Sequence, residues 1–412
     1  MQKGEISLIR KYVKFGVSNW RNLLFGLVLM TLSSFGQTFY ISLFGPHLRE
    51  EFYLSYGSLG AVYAAATITS AMSLTFVGQW IDRITVRQYA MGVAVFLSCA
   101  CLMMAASHNL LFLFVSLYLL RLGGQGLMVH TSLTTTARTF PMDRGKALGI
   151  TTLGLPLGEA VLPIIAVAGM AAIGWRSTWI VGGVIVMLAA SSAIRVLPDA
   201  VKNFRARDSF SPQRRATTLR LWRDRRLLLT LPCVLASPFI STGFFFIQAR
   251  LAAEKHWSLE FLAACFVGYA VARAFALLAI GPVIDKFGAT RLLPFFLVPQ
   301  GIAMATIALV SGKIGAPIYL ISTGISAGIA ATMATALWVE MYGVEELARV
   351  RSSVEAATVV ATGLAPIVAG SLIDAGVPLT IQAGGCLFAV VAVSWVSRFA
   401  SRHANPAQFP TG

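Results

Sequence analysis

Charge is scarce in this chain: 12% of its 412 residues are Asp, Glu, Lys or Arg, against 57% apolar side chains. So few charges cannot cover a water-soluble surface of this size, which excludes a soluble globular fold and puts the chain in a bilayer. Acids are the scarcer sign, 17 against 33 bases, leaving a net charge of +16. Cysteine is rare too. Cys99, Cys101, Cys233, Cys265 and Cys386 all fall inside long apolar runs, where Cys behaves as a small apolar residue, so no disulfide framework is expected. No His-Glu-x-x-His spacing, no nucleophile with a matched His and no nucleotide-binding motif occurs, which argues against a membrane enzyme and implies neither metal nor cofactor. The N-terminal apolar run is longer than a signal-peptide core, lacks a small-residue cleavage site, and reads as a retained helix.

What is abundant is apolar sequence in stretches of about 20 residues, the length that crosses roughly 30 Å of hydrocarbon as a helix. Twelve such runs are expected, helices 1 to 12 in chain order: about 22–44, 57–78, 88–107, 110–134, 147–171, 176–196, 227–248, 259–281, 292–311, 315–339, 352–373 and 378–397. With a cytoplasmic N-terminus, 26 of the 33 Lys and Arg fall in termini and loops on that side and five outside, while Arg121 and Arg273 lie within helices. That is the positive-inside pattern, and the even count returns the C-terminus to the cytoplasm. The basic excess therefore reports topology and contact with anionic lipid, not nucleic acid.

The chain also repeats itself. Gly78-Gln-Trp-Ile-Asp-Arg-Ile-Thr-Val-Arg87 has a second copy in Gly281-Pro-Val-Ile-Asp-Lys-Phe-Gly-Ala-Thr-Arg291, at a constant offset of 203 residues. The same register carries Glu51-Phe-Tyr-Leu-Ser55 onto Glu254-Lys-His-Trp-Ser258. Two copies of one six-helix unit follow: an N-terminal half over 1–197, a basic cytoplasmic linker over 198–226 and a C-terminal half over 227–412.

The doubled Gly-x-x-x-Asp-Arg/Lys loop, Arg121-Leu-Gly-Gly-Gln-Gly126 in helix 4, Gly154-Leu-Pro-Leu-Gly158 in helix 5 and Gly174-Trp-Arg176 before helix 6 together resemble the major facilitator superfamily of transporters. The resemblance implies an all-α membrane protein of twelve transmembrane helices, in two pseudo-symmetric halves around a central cavity, that works by alternating access. It implies a bacterial cytoplasmic (inner) membrane location and a monomer. The first loop departs from the family pattern at Thr85, where Gly is usual, and at Val86, where a base is usual. Carried over, the gating residues are Gly78, Asp82, Arg83, Arg87, Gly281, Asp285, Lys286 and Arg291, with Asp82 meeting the start of helix 11 near Arg351 and Asp285 the start of helix 5 near Lys146. Arg144 belongs to an echoing cluster with Asp143 and Lys146, and Glu340 with Arg349 and Arg351 is expected to form its counterpart.

Buried charge carries the chemistry. Arg121 stands near the middle of helix 4, where a charge costs several kcal/mol unless paired, with Gln125 one turn on and His130 read as a packing or interfacial residue. Glu159 lies similarly deep in helix 5, and an Arg121–Glu159 pair is the simplest expectation, either as a fixed bridge or as a protonation switch. Arg273 lies within helix 8 with Tyr269 beside it, suited to hold a carboxylate bidentately. Its position resembles the helix 8 arginine of oxalate/formate antiporters and monocarboxylate transporters, although Tyr269 replaces the acid usual in monocarboxylate transporters and no second base stands in helix 11. A polar stripe of Ser33, Gln37 and Tyr40 in helix 1, another of Ser237, Ser241, Phe244 and Gln248 in helix 7, and Trp338 in helix 10 are candidate lining groups. The expected activity is secondary transport of a small organic anion, a monocarboxylate fitting a single cavity charge, coupled to protons or to exchange for a counter-anion. Proton-driven export of amphipathic drugs or metabolites, with Arg273 held by Glu159, is the alternative, and a transporter-like sensor without flux a further one.

Overall fold

The computed structural model describes residues 14–202 and 221–401, and among them there is helix and no strand. Eleven helices are long and apolar enough to span a membrane, and a bent pair makes the twelfth. In chain order these are α1 (Trp20–Gly36 with Thr38–Glu51), α2 (Tyr56–Asp82), α3 (Val86–Ala105), α4 (Leu110–Thr139), α5 (Arg144–Ile173) and α6 (Trp175–Val196). The rest are α7 (Arg225–Phe246), α8 (Leu259–Phe287), α9 (Ala289–Leu309), α10 (Gly315–Gly343), α11 (Glu345–Asp374) and α12 (Leu379–Arg398). Most of the linker, residues 203–220, lies outside the described residues.

The chain divides into two compact units, Met1–Phe52 with Ala65–Phe210, and Tyr53–Ala64 with Ser211–Gly412. The first turns of α2 thus go with the second unit, a departure from a division by sequence order. The cause is local: Asp374 at the end of α11 accepts from Tyr56 N (3.0 Å), Gly57 N (2.8 Å) and Ser55 Oγ (2.6 Å), satisfying the orphan N–H groups of the α2 start.

In the first unit α1 is bent by 48°. Ser33–Gly36 tightens into a 3-10 turn and Gln37 is extended (φ −87°, ψ 152°). Tyr40 and Ile41 N–H both bond Gln37 O, and Arg121 Nη1 on α4 takes up the Gly36 carbonyl at 2.9 Å. A Cβ at Gly36 would stand 2.2 Å from Leu120 O, and one at Gly124 2.5 Å from Gly36 N, so the two helices meet backbone to backbone. Facing them, α4 widens to a π-helix over Arg121–Met128, where Gly123, Gly124 and Gly126 supply no side chains to resist it. The Gly154/Gly158 pair of α5 performs the same service on the other side of α1, since a Cβ there would meet Leu27 O at 2.3 Å and Ser34 Oγ at 2.2 Å.

In the second unit Gly324 and Gly328 of α10 press on the Tyr269 and Arg273 carbonyls of α8, with 2.3 and 2.5 Å left for a Cβ. Helix α7 ends at Ile247 and is followed by Gln248–Glu254, just as α1 ends in Gly45–Glu51, one repeat earlier.

The 203-residue register extends to backbone conformation. Tyr53 and His256, equivalent positions, are the two non-glycine residues with positive φ (52° and 55°) among those described. Ser55 and Ser258 then cap the next helix through Ser58 N (3.1 Å) and Phe261 N (3.2 Å). Glu51 receives Arg176 Nη2 (2.9 Å) and Glu254 receives Leu379 N (3.0 Å), again equivalent positions, so each acid holds the first turn of its unit's last helix. The carbonyl of Ser107 accepts from Arg176 (2.9 Å), and its equivalent, Val310 O, accepts from Lys255 Nζ (3.0 Å). One carbonyl is served in both units by a cation from a different segment. Burial pushes the Lys255 pKa below the ordinary lysine value, while neighbouring Glu254 opposes that shift.

Candidate functional site

The break in α1 organises the charges of the first unit. Arg121 and Glu159 are each 3% exposed, and both stand where α4 and α5 press on residues 33–36 of α1. Arg121 spends one N–H group on the Gly36 carbonyl, which gives it a part in holding the break besides any part with Glu159. Gln125 is exposed, one turn away. The break also undoes the expected helical stripe of Ser33, Gln37 and Tyr40. Ser33 Oγ bonds Met30 O of its own helix, Gln37 is half-buried, and the Tyr40 ring is buried against Phe35 (4.9 Å), Trp179 (5.3 Å) and Phe44 (5.5 Å). Tyr40 is therefore part of an aromatic core with α6. Interhelical polar contacts come instead from Thr31 Oγ1 to Gly154 O (2.9 Å) and Ser132 Oγ to Gly26 O (2.7 Å).

In the second unit Arg273 is half-buried on α8, its Nη1 3.5 Å from the Tyr269 hydroxyl. Tyr269 packs edge-on to Phe245 of α7 (5.4 Å) and against Phe266 (5.7 Å), so an aromatic wall backs the guanidinium. These residues do come together. Ser241, on α7, donates to Gln300 Oε1 of α9 at 3.3 Å, and Ser237 pairs with Ser326 of α10 at 2.9 Å. Gln248 is buried and opens the segment after the Ile247 break, so the expected α7 stripe ends at Phe244. Trp338 is buried and packs on Tyr342 (6.4 Å), one turn along its own helix, rather than on the Tyr269 cluster. Gln300 escaped the sequence reading because it sits in an ordinary apolar run. It is fully buried, and its Nε2 has no hydrogen-bond partner among the described residues.

The two repeated loops share a sequence pattern and differ in how they are held. Asp82 is bound within its own unit by Arg138 of α4, and His130 Nε2 lies 3.1 Å from Gly78 O, which requires that nitrogen to carry the proton. His130 thus supports the loop. Arg83, Arg87, Arg144, Asp285, Lys286 and Arg291 are exposed, and Lys146 pairs with Asp143 (2.7 Å). Glu340 departs from the expected cluster with Arg349 and Arg351. Its carboxylate accepts from Ala289 N (2.6 Å) and Thr290 N (3.2 Å), capping α9, while Arg349 binds Glu346 and Arg351 lies 3.9 Å from Glu355. The reason is at the preceding residue. Gly288 adopts φ +82°, which leaves no capping side chain, whereas its equivalent Thr85 at φ −69° closes a capping box with Gln88. The departure at Thr85 is thereby a change of cap.

Among the described residues, up to twelve spans with paired loops and buried charges make up a multi-helix membrane protein. The Major Facilitator Superfamily model matches residues 26–251 and 230–411, so the chain belongs to that family and is a transporter rather than an enzyme. Over 167 residues, 40% of this chain and 39% of the relative, it is 27% identical to the Probable sulfoacetate transporter SauU of Cupriavidus necator; the match thus spans about two fifths of that protein. Among solved structures it resembles a bacterial homolog of the human lysosomal transporter Spinster, inward-facing and unoccupied (TM-score 0.72, 14% identity, 95% of this chain and 98% of that one). It also resembles a mutant of the nucleoside transporter NupG (TM-score 0.71, 12% identity, 92% and 99%). At these identities the likeness to solved structures establishes the fold.

Proposed function

We propose that the protein is a secondary active transporter of a small organic anion, with Arg273 as the anion's principal ligand. The observation that carries this reading is Arg273 itself, a half-buried guanidinium within α8, backed by Tyr269 and Phe245 and held in place by the close α8–α10 contact at Gly328. A guanidinium offers a carboxylate two parallel N–H donors, and a site of low dielectric strengthens both. The sulfoacetate relative, whose named substrate carries a sulfonate and a carboxylate, supports the anion class. Lactate and acetate represent the monocarboxylates favoured by one cavity charge, and sulfoacetate the dianions. Arg121 and Glu159 are assigned to coupling, Glu159 taking a proton during the cycle or keeping a fixed bridge with Arg121, and the two repeated loops to gating. On this reading the protein works in a bacterial inner membrane with both termini cytoplasmic.

Uptake of labelled lactate, acetate and sulfoacetate into proteoliposomes tests the assignment. Loss of a charge-assisted pair predicts a fall in kcat/KM of about 10- to 100-fold in Arg273→Ala, with partial recovery in Arg273→Lys. Anion flux unchanged by Arg273→Ala sinks the reading. The Phe245–Phe266–Tyr269 wall favours the competing reading, export of amphipathic compounds, in which dye efflux proceeds and survives the same substitution.

A further inference from the structure

Away from these charges, the first unit contains a cavity of about 140 Å³ between the start of α3, the end of α4 and the short helix Asp199–Lys202. It is lined by Val86, Thr135, Arg138, Thr139, Ala200 and Val201. A water needs about 10–15 Å³ on the same measure, so the space suits a molecule of several heavy atoms. Its lining is mixed: Val86, Ala200 and Val201 are apolar, and Arg138 brings a guanidinium whose side chain is 31% exposed. Thr135 is 4% exposed with its Oγ1 closed to solvent, and Thr139 Oγ1 donates to Thr135 O at 2.8 Å, so Arg138 is the polar group left for a ligand. Val86 is the first residue of the 20-residue helix α3, whose positive dipole end adds to Arg138.

We propose that this cavity binds an amphipathic anion, with its carboxylate or phosphate on Arg138 and its apolar body against Val86, Ala200 and Val201. The bound anion competes for Arg138 with Asp82 of the first repeated loop. Asp82 and Arg138 have side chains 46% and 31% exposed, and an ion pair so accessible to water is weakly held, so an anion arriving with a buried apolar body can displace the carboxylate. Occupancy then releases Asp82 and leaves the loop held through His130 and Gly78. The site is a regulatory input to the loop, separate from Arg273 and independent of what Arg273 binds.

The ligand chemistry has two sources, a free short-chain acid and the headgroup region of an anionic phospholipid. Equilibrium binding of labelled hexanoate to full-length protein in phosphatidylcholine nanodiscs tests the first. The assay uses an Arg273→Ala background so that a transport site contributes nothing. Native mass spectrometry of phosphatidylglycerol against phosphatidylcholine retention tests the second. Ala200→Phe fills the cavity without touching a charge. Saturable hexanoate binding that weakens at least 10-fold in Ala200→Phe supports the proposal with a free acid as ligand. Selective phosphatidylglycerol retention lost in Ala200→Phe supports it with lipid as the source. Neither ligand retained, binding indifferent to Ala200→Phe, or inorganic phosphate binding as tightly as hexanoate overturns it.

Discussion

A single methyl group separates the two repeated glycines from the packing glycines. Nothing lies within 4 Å of a Cβ built on Gly281, so Gly281→Ala is expected to raise stability by about 0.5–1 kcal/mol, the usual gain for Ala over Gly in a helix. If the variant folds with a higher thermal midpoint yet transports poorly, the glycine is needed in another state of the cycle. Gly36→Ala is expected to do the opposite, since its methyl would meet the Leu120 carbonyl at 2.2 Å, and overpacking of this kind costs about 1–3 kcal/mol. The same thermal-shift measurement should put the two variants on opposite sides of wild type. At Glu340 the expected effect is loss of a cap. Glu340→Ala should cost about 0.5–2 kcal/mol, and Gly288→Thr cannot restore it, because Gly288 holds φ +82°.

At the scale of helices, the lengths of the apolar runs were legible because a bilayer imposes them, whereas their interruptions were not. Residues 33–44 and 244–251 contain no proline to mark a break. The α1 break is held by a partner elsewhere in the chain, Arg121, and the side-chain stripes drawn as continuous helices across the two breaks were lost with them. The π-helical turn of α4 was equally hidden, although three glycines in six residues, Gly123, Gly124 and Gly126, are the signal that could have suggested a yielding backbone. Arg121 ties the two irregularities together. Its removal leaves Gly36 O without that donor and Glu159 in a site of altered charge, so Arg121→Ala should cost about 3–5 kcal/mol, the range found when one member of a buried charged set is deleted. Chemical or thermal unfolding in detergent measures this. A near-neutral result would mean the α1 break is held by glycine packing alone.

Over the whole chain, the repeat is kept where it builds helix ends and abandoned at the charges within the helices. Tyr53 and His256 keep the same unusual backbone, yet Arg121 falls on Gly324, Arg273 on Ser70 and Glu159 on Thr362. The fold was readable from the doubled loop because two copies of a turn carry one constraint. The buried charges could be found by their cost in a membrane, but their partners depend on tertiary geometry that no spacing encodes. At the helix ends the repeat makes a direct prediction. Arg176→Leu should lower stability by about 0.5–2 kcal/mol through loss of its part-exposed bonds to Glu51 and Ser107 O. Adding Phe52→Lys should recover part of that loss, because Phe52 is the equivalent of Lys255. No recovery would show that the register does not extend to side-chain reach.

The exchanged cations also constrain ancestry. A half with only the helix cation, or only the loop cation, keeps its Ser107-type carbonyl served on the way to the other arrangement only by passing through a form that carries both. A half carrying both could lose either one safely. On either route the two units are alternative reductions of a single redundant clasp, and a chain with Lys at 52 beside Arg176 would be a reconstruction of it.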